Sequence, residues 1–200
     1  MPDKSRRNTH MGVSNMSKEE TDPVDSDSLG AVVASCQQGN RLAQRQLYDL
    51  CHQSIFRLAA RIVGWQDAVD VTQEIFLQIF RSIGLFNGKS RFETWMYRLA
   101  VNESLQYLRR MRRWRNPTLD WEPMDDKHPE ENAERKELLE LALLRIDPEL
   151  RAIFLLREVE GLSYQDIAKA LQIPEGTVGS RLNRARRELQ KILTEFGFEM

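Results

Sequence analysis

Cysteine is scarce in this 200-residue chain: Cys36 and Cys51 are its only two, and neither sits in a C-x-x-C pair or a Cys/His spacing that holds zinc. Two thiols cannot staple a small secreted scaffold, so the interior must come from apolar packing, and both are expected to be reduced, partly buried thiols of a cytoplasmic protein. His52 follows Cys51 directly, but neighbours on a helix point apart and make poor joint ligands. Ten glycines and seven prolines are few and fall at junctions between periodic segments. No apolar run approaches the roughly 20 residues that span a bilayer, and the N-terminus lacks the apolar stretch of a signal peptide, so no direct membrane insertion is expected. There is no G-x-x-x-x-G-K-[ST] loop and no clustered metal ligands; no cofactor, no metal and no catalytic residue are expected. Net charge is nearly absent too, because 29 Lys and Arg stand against 30 Asp and Glu.

What remains is rich in helix formers, with 41% hydrophobic and 30% charged residues, enough for packed cores under exposed helical faces. The reading is an all-α protein of two small helical domains joined by a flexible acidic linker. The balanced charge conceals strong local fields. Six arginines (98, 109, 110, 112, 113 and 115) oppose one acid, Glu103, between residues 98 and 115, whereas eight acids oppose three bases between 120 and 137.

Residues 1–25 are polar and lack periodicity, so they are expected to be a disordered tail, with Met1, Met11 and Met16 all possible starts. A domain at 26–115 follows. It opens with a short helix near Leu29–Gln38, then a long one burying Leu47, Leu50, Ile55, Leu58 and Ile62, then a third over 66–83 with Val69, Phe76, Phe80 and Ile83 inward. "LFNGKS" is a loop by its Asn-Gly pair, and a long helix runs from Arg91 to Arg113 with Tyr97, Val101 and Leu108 in the core. Residues 116–135, with three prolines and many acids, are expected to be the linker, and 136–200 the second domain. There Asp147 caps a helix that starts at Pro148, and Ser163 caps another that buries Ile167, Ala168 and Leu171.

After Pro174-Glu175-Gly176 a last helix carries Val178, Leu182, Ala185 and Leu189 on one stripe, with Ser180, Arg184, Arg187 and Lys191 opposite it at about 100° per residue. Such a helix docks by one side and offers cations by the other, as the second helix of a helix-turn-helix does when arginine grips guanine edges. Gly179 interrupts it at a cost of about 1 kcal/mol relative to alanine. A second polar stripe, Arg98, Asn102, Gln106, Arg109 and Arg113, lies within about 80° on the helix after the loop. Phe92 and Trp95 beside it suit base stacking, although burial in the core is the commoner role of any one such residue. Asp67, Asp70 and Glu74 share one side of the preceding helix, either a solvated face or a pin for a basic partner.

Taken in order, "DAVDVTQEIFLQIFRSI", "FNGKSRFETWMYRLAVNESLQYLRR", "LREVEGLSYQDIAKAL" and "IPEGTVGSRLNRARREL" resemble the extracytoplasmic-function group of bacterial sigma factors, over roughly Leu29–Leu193. The resemblance implies a subunit of RNA polymerase that binds the core enzyme and reads two promoter elements. By position it assigns Asp67, Asp70, Gln73 and Glu74 to the helix that docks on the largest core subunits. It places Phe86, Asn87, Gly88, Lys89 and Ser90 in the loop that captures a flipped −10 base, with Asn102 a further −10 contact and Arg98 and Arg109 beside it on the basic stripe. It sets Ser180, Asn183, Arg184 and Arg186 at −35 reading positions, with Thr177, Arg181 and Arg187 around them. Gly179 stands where the family often carries Lys or Arg, and Lys89 where it is frequently acidic, which leaves the preferred −10 base open. The family is commonly held inactive by an anti-sigma factor, often membrane-anchored, so such a partner is expected alongside polymerase and promoter DNA. No appended sensory domain is expected after Leu193.

Neither basic patch is large enough to hold duplex DNA tightly alone, so the free chain is expected to bind promoters weakly until core polymerase fixes both domains. The acidic linker is expected to occupy a basic polymerase channel meanwhile. Two other classes compete. A stand-alone helix-turn-helix regulator needs a ligand or phosphoacceptor domain, and the first half has no βα alternation. A serine recombinase needs a nucleophile set that Ser90 and Ser104 do not supply.

Overall fold

The structure, a computed structural model, describes residues 26–114 and 131–197. The expected tail, its candidate starts and most of the expected linker lie outside the described residues. Within them the elements are α1 (Ser26–Gln37), α2 (Arg41–Val63), α3 (Trp65–Ser82), a 3-10 turn (Ile83–Leu85), α4 (Phe92–Trp114), α5 (Glu131–Arg145), α6 (Pro148–Glu158), α7 (Tyr164–Leu171) and α8 (Glu175–Glu195). Among the described residues there is no strand, and no helix is long and apolar enough to cross a membrane.

Helix ends follow local chemistry. Gly39, at φ +81, turns the chain out of α1, and the Asn40 side chain accepts the N–H groups of Leu42 (2.9 Å) and Ala43 (3.2 Å) to start α2. Asp147 accepts from the Glu149 N–H at 2.9 Å with Pro148 first in α6, as its sequence predicts. The Ser163 hydroxyl accepts from the Asp166 N–H and donates to the Asp166 carboxylate at 2.6 Å, so the acid takes the cap's hydroxyl proton rather than its backbone N–H. Gln172, in the left-handed region (φ 55), closes α7, and Pro174 stands at the N-cap of α8, which begins at Glu175.

In the first bundle α2, α3 and α4 pack around Leu47, Ile55, Leu58, Ile62, Ile75 and Ile79. Several expectations need correction. Leu50 is exposed at the edge of α2, and Val69 is 54% exposed, because α3 turns Ala68, Val71, Thr72, Ile75, Phe76 and Ile79 inward. Ala68 lets α3 approach closely, and Val69, about 100° further round, is carried outward. Of the expected α4 core residues, Val101 is buried while Tyr97 and Leu108 are half-buried. Residues 131–135, expected to belong to the linker, are helical, since α5 begins at Glu131.

In the second bundle α6 and α7 pack beneath α8, whose Val178, Leu182, Ala185 and Leu189 are all buried. In α7 it is Ala170, with Ile167 and Ala168, that is fully buried, and Leu171 only partly. Cys36 and Cys51 are free and buried, and burial pushes both thiols up, Cys51 to about 11. His52 stacks among Tyr48, Phe56 and Phe76.

The bundles are packed on each other, with α4 along α7 and α2 against α5 and α6. Arg151 of α6 lies in the seam at 4% exposure. Its guanidinium donates to the Ile62 carbonyl at the end of α2, to the Leu144 carbonyl at the end of α5, and to the Ile146 carbonyl (3.0 Å) just beyond it. Two helix C-termini thus supply partial negative charge and unsatisfied carbonyls to one buried cation. Burial pulls the guanidinium down to about 10, still protonated at neutral pH.

Candidate nucleic-acid interface

α8 presents its polar face as periodicity requires. Ser180, Asn183, Arg184, Arg187 and Lys191 are exposed opposite the buried stripe, and Thr177 lies half-buried at its start. Arg184 is held by Glu188 one turn on, at 2.8 Å, and Arg187 donates to the Asn183 carbonyl. The flanking cations are engaged elsewhere. Arg186 pairs with Glu158 of α6 at 2.5 Å, and Arg181 with Glu149 of α6 at 3.3 Å. Arg186 is thus turned along the flank of α8 toward α6, away from the outer stripe. Gly179 faces α7: a Cβ there would meet the Tyr164 ring at 3.5 Å, an ordinary contact.

The second surface is built at the start of α4. Gly88 needs its positive φ of +71, and the Asn87 side chain accepts from the Lys89 N–H (3.2 Å), so the loop is a side-chain-stabilised turn. Phe86, Phe92 and Trp95 form one aromatic cluster with centroids 5.4–5.6 Å apart. Trp95 is half-buried in it, and Ser90 is likewise half-buried. Between this loop and α1 lies an open cleft of about 500 Å³, lined on one side by Gly30, Ala34 and Gln37 and on the other by Phe86, Asn87 and Arg91. Gln37 ties the two walls together: its side-chain amide donates to the Ile83 carbonyl (3.1 Å) and to the Phe86 carbonyl (2.7 Å). Its sequence context offered no hint of this, since the partners are backbone groups 46 and 49 residues away.

Beyond the cleft, Arg98, Gln106, Arg109 and Arg113 are exposed along α4, with Asn102 half-buried between them. Arg109 reaches across to Glu149 at 3.4 Å. On α3, Asp70, Gln73 and Glu74 are exposed and Asp67 is half-buried. Val69 and Leu77 (46% exposed) flank them, which makes this a mixed acidic and apolar face rather than a purely solvated one.

No group of three or more His, Cys, Asp or Glu that would hold a metal ion occurs among the described residues. Two helical bundles, a helix-turn-helix with its outer face bare, and a second cationic helix beside an open cleft are the features of a nucleic-acid-binding protein. Comparison with known proteins narrows this. Residues 47–115 match the family model for Sigma-70 region 2, and residues 136–189 that for Sigma-70, region 4. The ECF RNA polymerase sigma-E factor of Haemophilus influenzae is 36% identical over 175 residues, covering 80% of this chain and 92% of that protein. The ECF RNA polymerase sigma-E factor of Escherichia coli K12 is 33% identical over 189 residues, covering 87% and 95%. The solved structure of CnrH in complex with the cytosolic domain of CnrY superimposes with a TM-score of 0.59 at 22% identity, over 86% of this chain and 99% of that one, and so shares the fold. The chain belongs to the sigma-70 family, in its extracytoplasmic-function group, and is an RNA polymerase sigma factor.

Proposed function

We propose that residues 26–115 dock on core polymerase and read the −10 element, and that residues 136–200 read the −35 element. The observation that carries the reading is the outer face of α8: five polar or cationic side chains exposed on a helix whose opposite stripe is wholly buried in a helix-turn-helix. Within it Ser180, Asn183, Arg184 and Arg187 meet base edges and phosphates, with Thr177 at the rim. Arg186 and Arg181 serve mainly to brace α8 on α6 through Glu158 and Glu149.

In the first bundle the loop from Phe86 to Ser90 receives a base extruded from the opened non-template strand. Extrusion costs a few kcal/mol of unstacking, offset by the aromatic cluster and by polar groups of the cleft. Gln37 is a positioning residue for that loop. Arg98, Asn102 and Arg109 hold the strand along α4. The face of Asp67, Asp70, Gln73 and Glu74, extended by Val69 and Leu77, docks on the largest core subunits, acids to a basic partner and apolar groups to its centre. The chain therefore acts in the cytoplasm and by binding, with no reaction catalysed on it. An anti-sigma partner fits the same reading, since the similar solved structure of RpoE from Bartonella quintana is a complex with the anti-sigma factor NepR.

The test is promoter preference in reconstituted holoenzyme. Arg184→Ala is expected to lose about 1–3 kcal/mol of discrimination at one −35 position. Arg109→Ala is expected to weaken binding alike on all sequences and to lower the salt slope by about 1. Equal, sequence-blind losses from both would make Arg184 a phosphate contact only.

A further inference from the structure

From Gly176 to Lys191 the chain carries five cations and one acid, Glu188. At about 100° per residue Glu188 stands about 40° round the helix from Arg184, so it belongs to the outer face of α8 and not to its buried stripe. Together with Thr177, Ser180, Arg181, Arg184 and Arg187 it lines one open depression along that face. A carboxylate there repels every phosphate that approaches, which weakens binding on any sequence. Helix stability does not account for its place. An exposed ion pair contributes little, and a cation followed four residues later by an acid is the weaker order along a helix.

The contact with Arg184 does account for it. Glu188 Oε1 accepts the Arg184 Nε–H at 2.8 Å, the short distance of a charge-assisted bond. The guanidinium is thereby held at the nitrogen nearest its own chain. Its two Nη groups, at the far edge, have no hydrogen-bond partner among the described residues, and the side chain is 69% exposed. Two N–H groups side by side on one edge match the O6 and N7 acceptors of guanine. The neighbouring arginines are held differently. Arg181 and Arg186 spend Nη groups on Glu149 and Glu158 of α6, and Arg187 donates to the Asn183 carbonyl.

We propose that Glu188 is the positioning residue of the −35 contact: it presents Arg184 as a fixed fork to a guanine and, by its charge, keeps that arginine from settling on a phosphate. The inference rests on the assignment of α8 to the −35 element, and adds which base Arg184 reads and what aims it. Rotamer freedom that a loose arginine would lose on binding is already lost in the free chain. The same acid weakens all sites alike, so the preferred site gains relative to the rest.

The test is competition binding by the full chain in holoenzyme with bacterial core polymerase. The probes are duplex fragments that carry a −35 element selected from a randomised library, and their single-base substitutions. Arg184→Ala finds the base pair that Arg184 reads. Glu188→Ala should lower the preference for guanine at that pair by about two- to tenfold, the effect of leaving one long side chain to be ordered on binding. It should also tighten binding to unrelated sequence. Glu188→Gln keeps an oxygen that accepts from Nε and loses the charge, so it should tighten binding to unrelated sequence while retaining most of the preference. With Arg184→Ala already present, Glu188→Ala should change the preference no further. A residue that merely steadied α8 would instead weaken all sequences in proportion. The inference is overturned by an unchanged preference in Glu188→Ala, by a base other than guanine at that pair, by equal losses in Glu188→Ala and Glu188→Gln, or by a loss that persists without Arg184. If Arg184→Ala alters preference at no base pair, the −35 assignment of α8 itself fails, and the inference with it.

Discussion

Replacing Arg151 with methionine keeps most of the volume of the buried side chain and removes every donor. Three charge-assisted hydrogen bonds are lost, to Ile62, Leu144 and Ile146. At roughly 1.5 kcal/mol each they amount to about 4.5 kcal/mol. Against this, the Arg151 Nε is buried without a partner, and losing it with the guanidinium recovers about 1–2 kcal/mol. The net expectation is a loss of about 3 kcal/mol. If the docked bundles melt as one unit, the midpoint should fall by about 6–12 °C, at 2–4 °C per kcal/mol for a chain of this size. Calorimetry on Arg151→Met and the unmodified chain reads this directly. A loss below about 1 kcal/mol would mean that the Ile62 carbonyl already meets water in solution, and the closed seam would be wrong.

Glu160 makes the packing of the two bundles sensitive to pH. Burial raises its carboxyl above the ordinary value, against the smaller opposing effects of the Tyr97 hydroxyl and Arg61. A carboxyl whose pKa is raised in the folded chain contributes stability that is fully present below its ordinary value and is lost as pH rises through the folded value. The denaturation midpoint should therefore gain this contribution as pH falls from neutral toward the ordinary carboxylate range, and Glu160→Gln should flatten that part of the profile; a profile unchanged by that variant refutes the assignment. Gly179→Ala should stabilise the chain by about 1 kcal/mol, since the added methyl meets Tyr164 at ordinary contact distance; destabilisation in a denaturant titration would show that α7 and α8 cannot give. Gln37→Ala should relax base preference at the −10 position served by the cleft while leaving −35 preference intact. Equal effects on both elements would make Gln37 a residue of general stability instead.

The helix-turn-helix was legible because its pattern is local. Four apolar residues at helical spacing, a Ser cap and a Pro-Gly break each act within a few residues, and Val178, Leu182, Ala185 and Leu189 are buried as their spacing requires. The loop was legible for the same reason, through Asn87 and Gly88. Val69 and Leu50 went astray because periodicity identifies an apolar face but not where the neighbouring helix stops covering it. On α3 that error hid part of the proposed docking face, since Val69 reads as core until its exposure is seen. The start of α5 was obscured by acids that mark a linker by composition yet also suit the first turn of a helix. Gln37, Glu149, Arg151 and Glu160 carried no signal at all. Each makes its decisive contact with a backbone carbonyl or a side chain from another part of the chain, and single-sequence patterning does not reach that far.

The most direct test of two reading surfaces held apart by a larger machine is transcription from purified components. The chain, mixed with bacterial core polymerase and fragments of its own genome, should start RNA at sites that share one −10 and one −35 element. Changing their spacing by half a helical turn, about five base pairs, should abolish initiation. Initiation that tolerates any spacing, or that persists when either element is scrambled, would contradict the account.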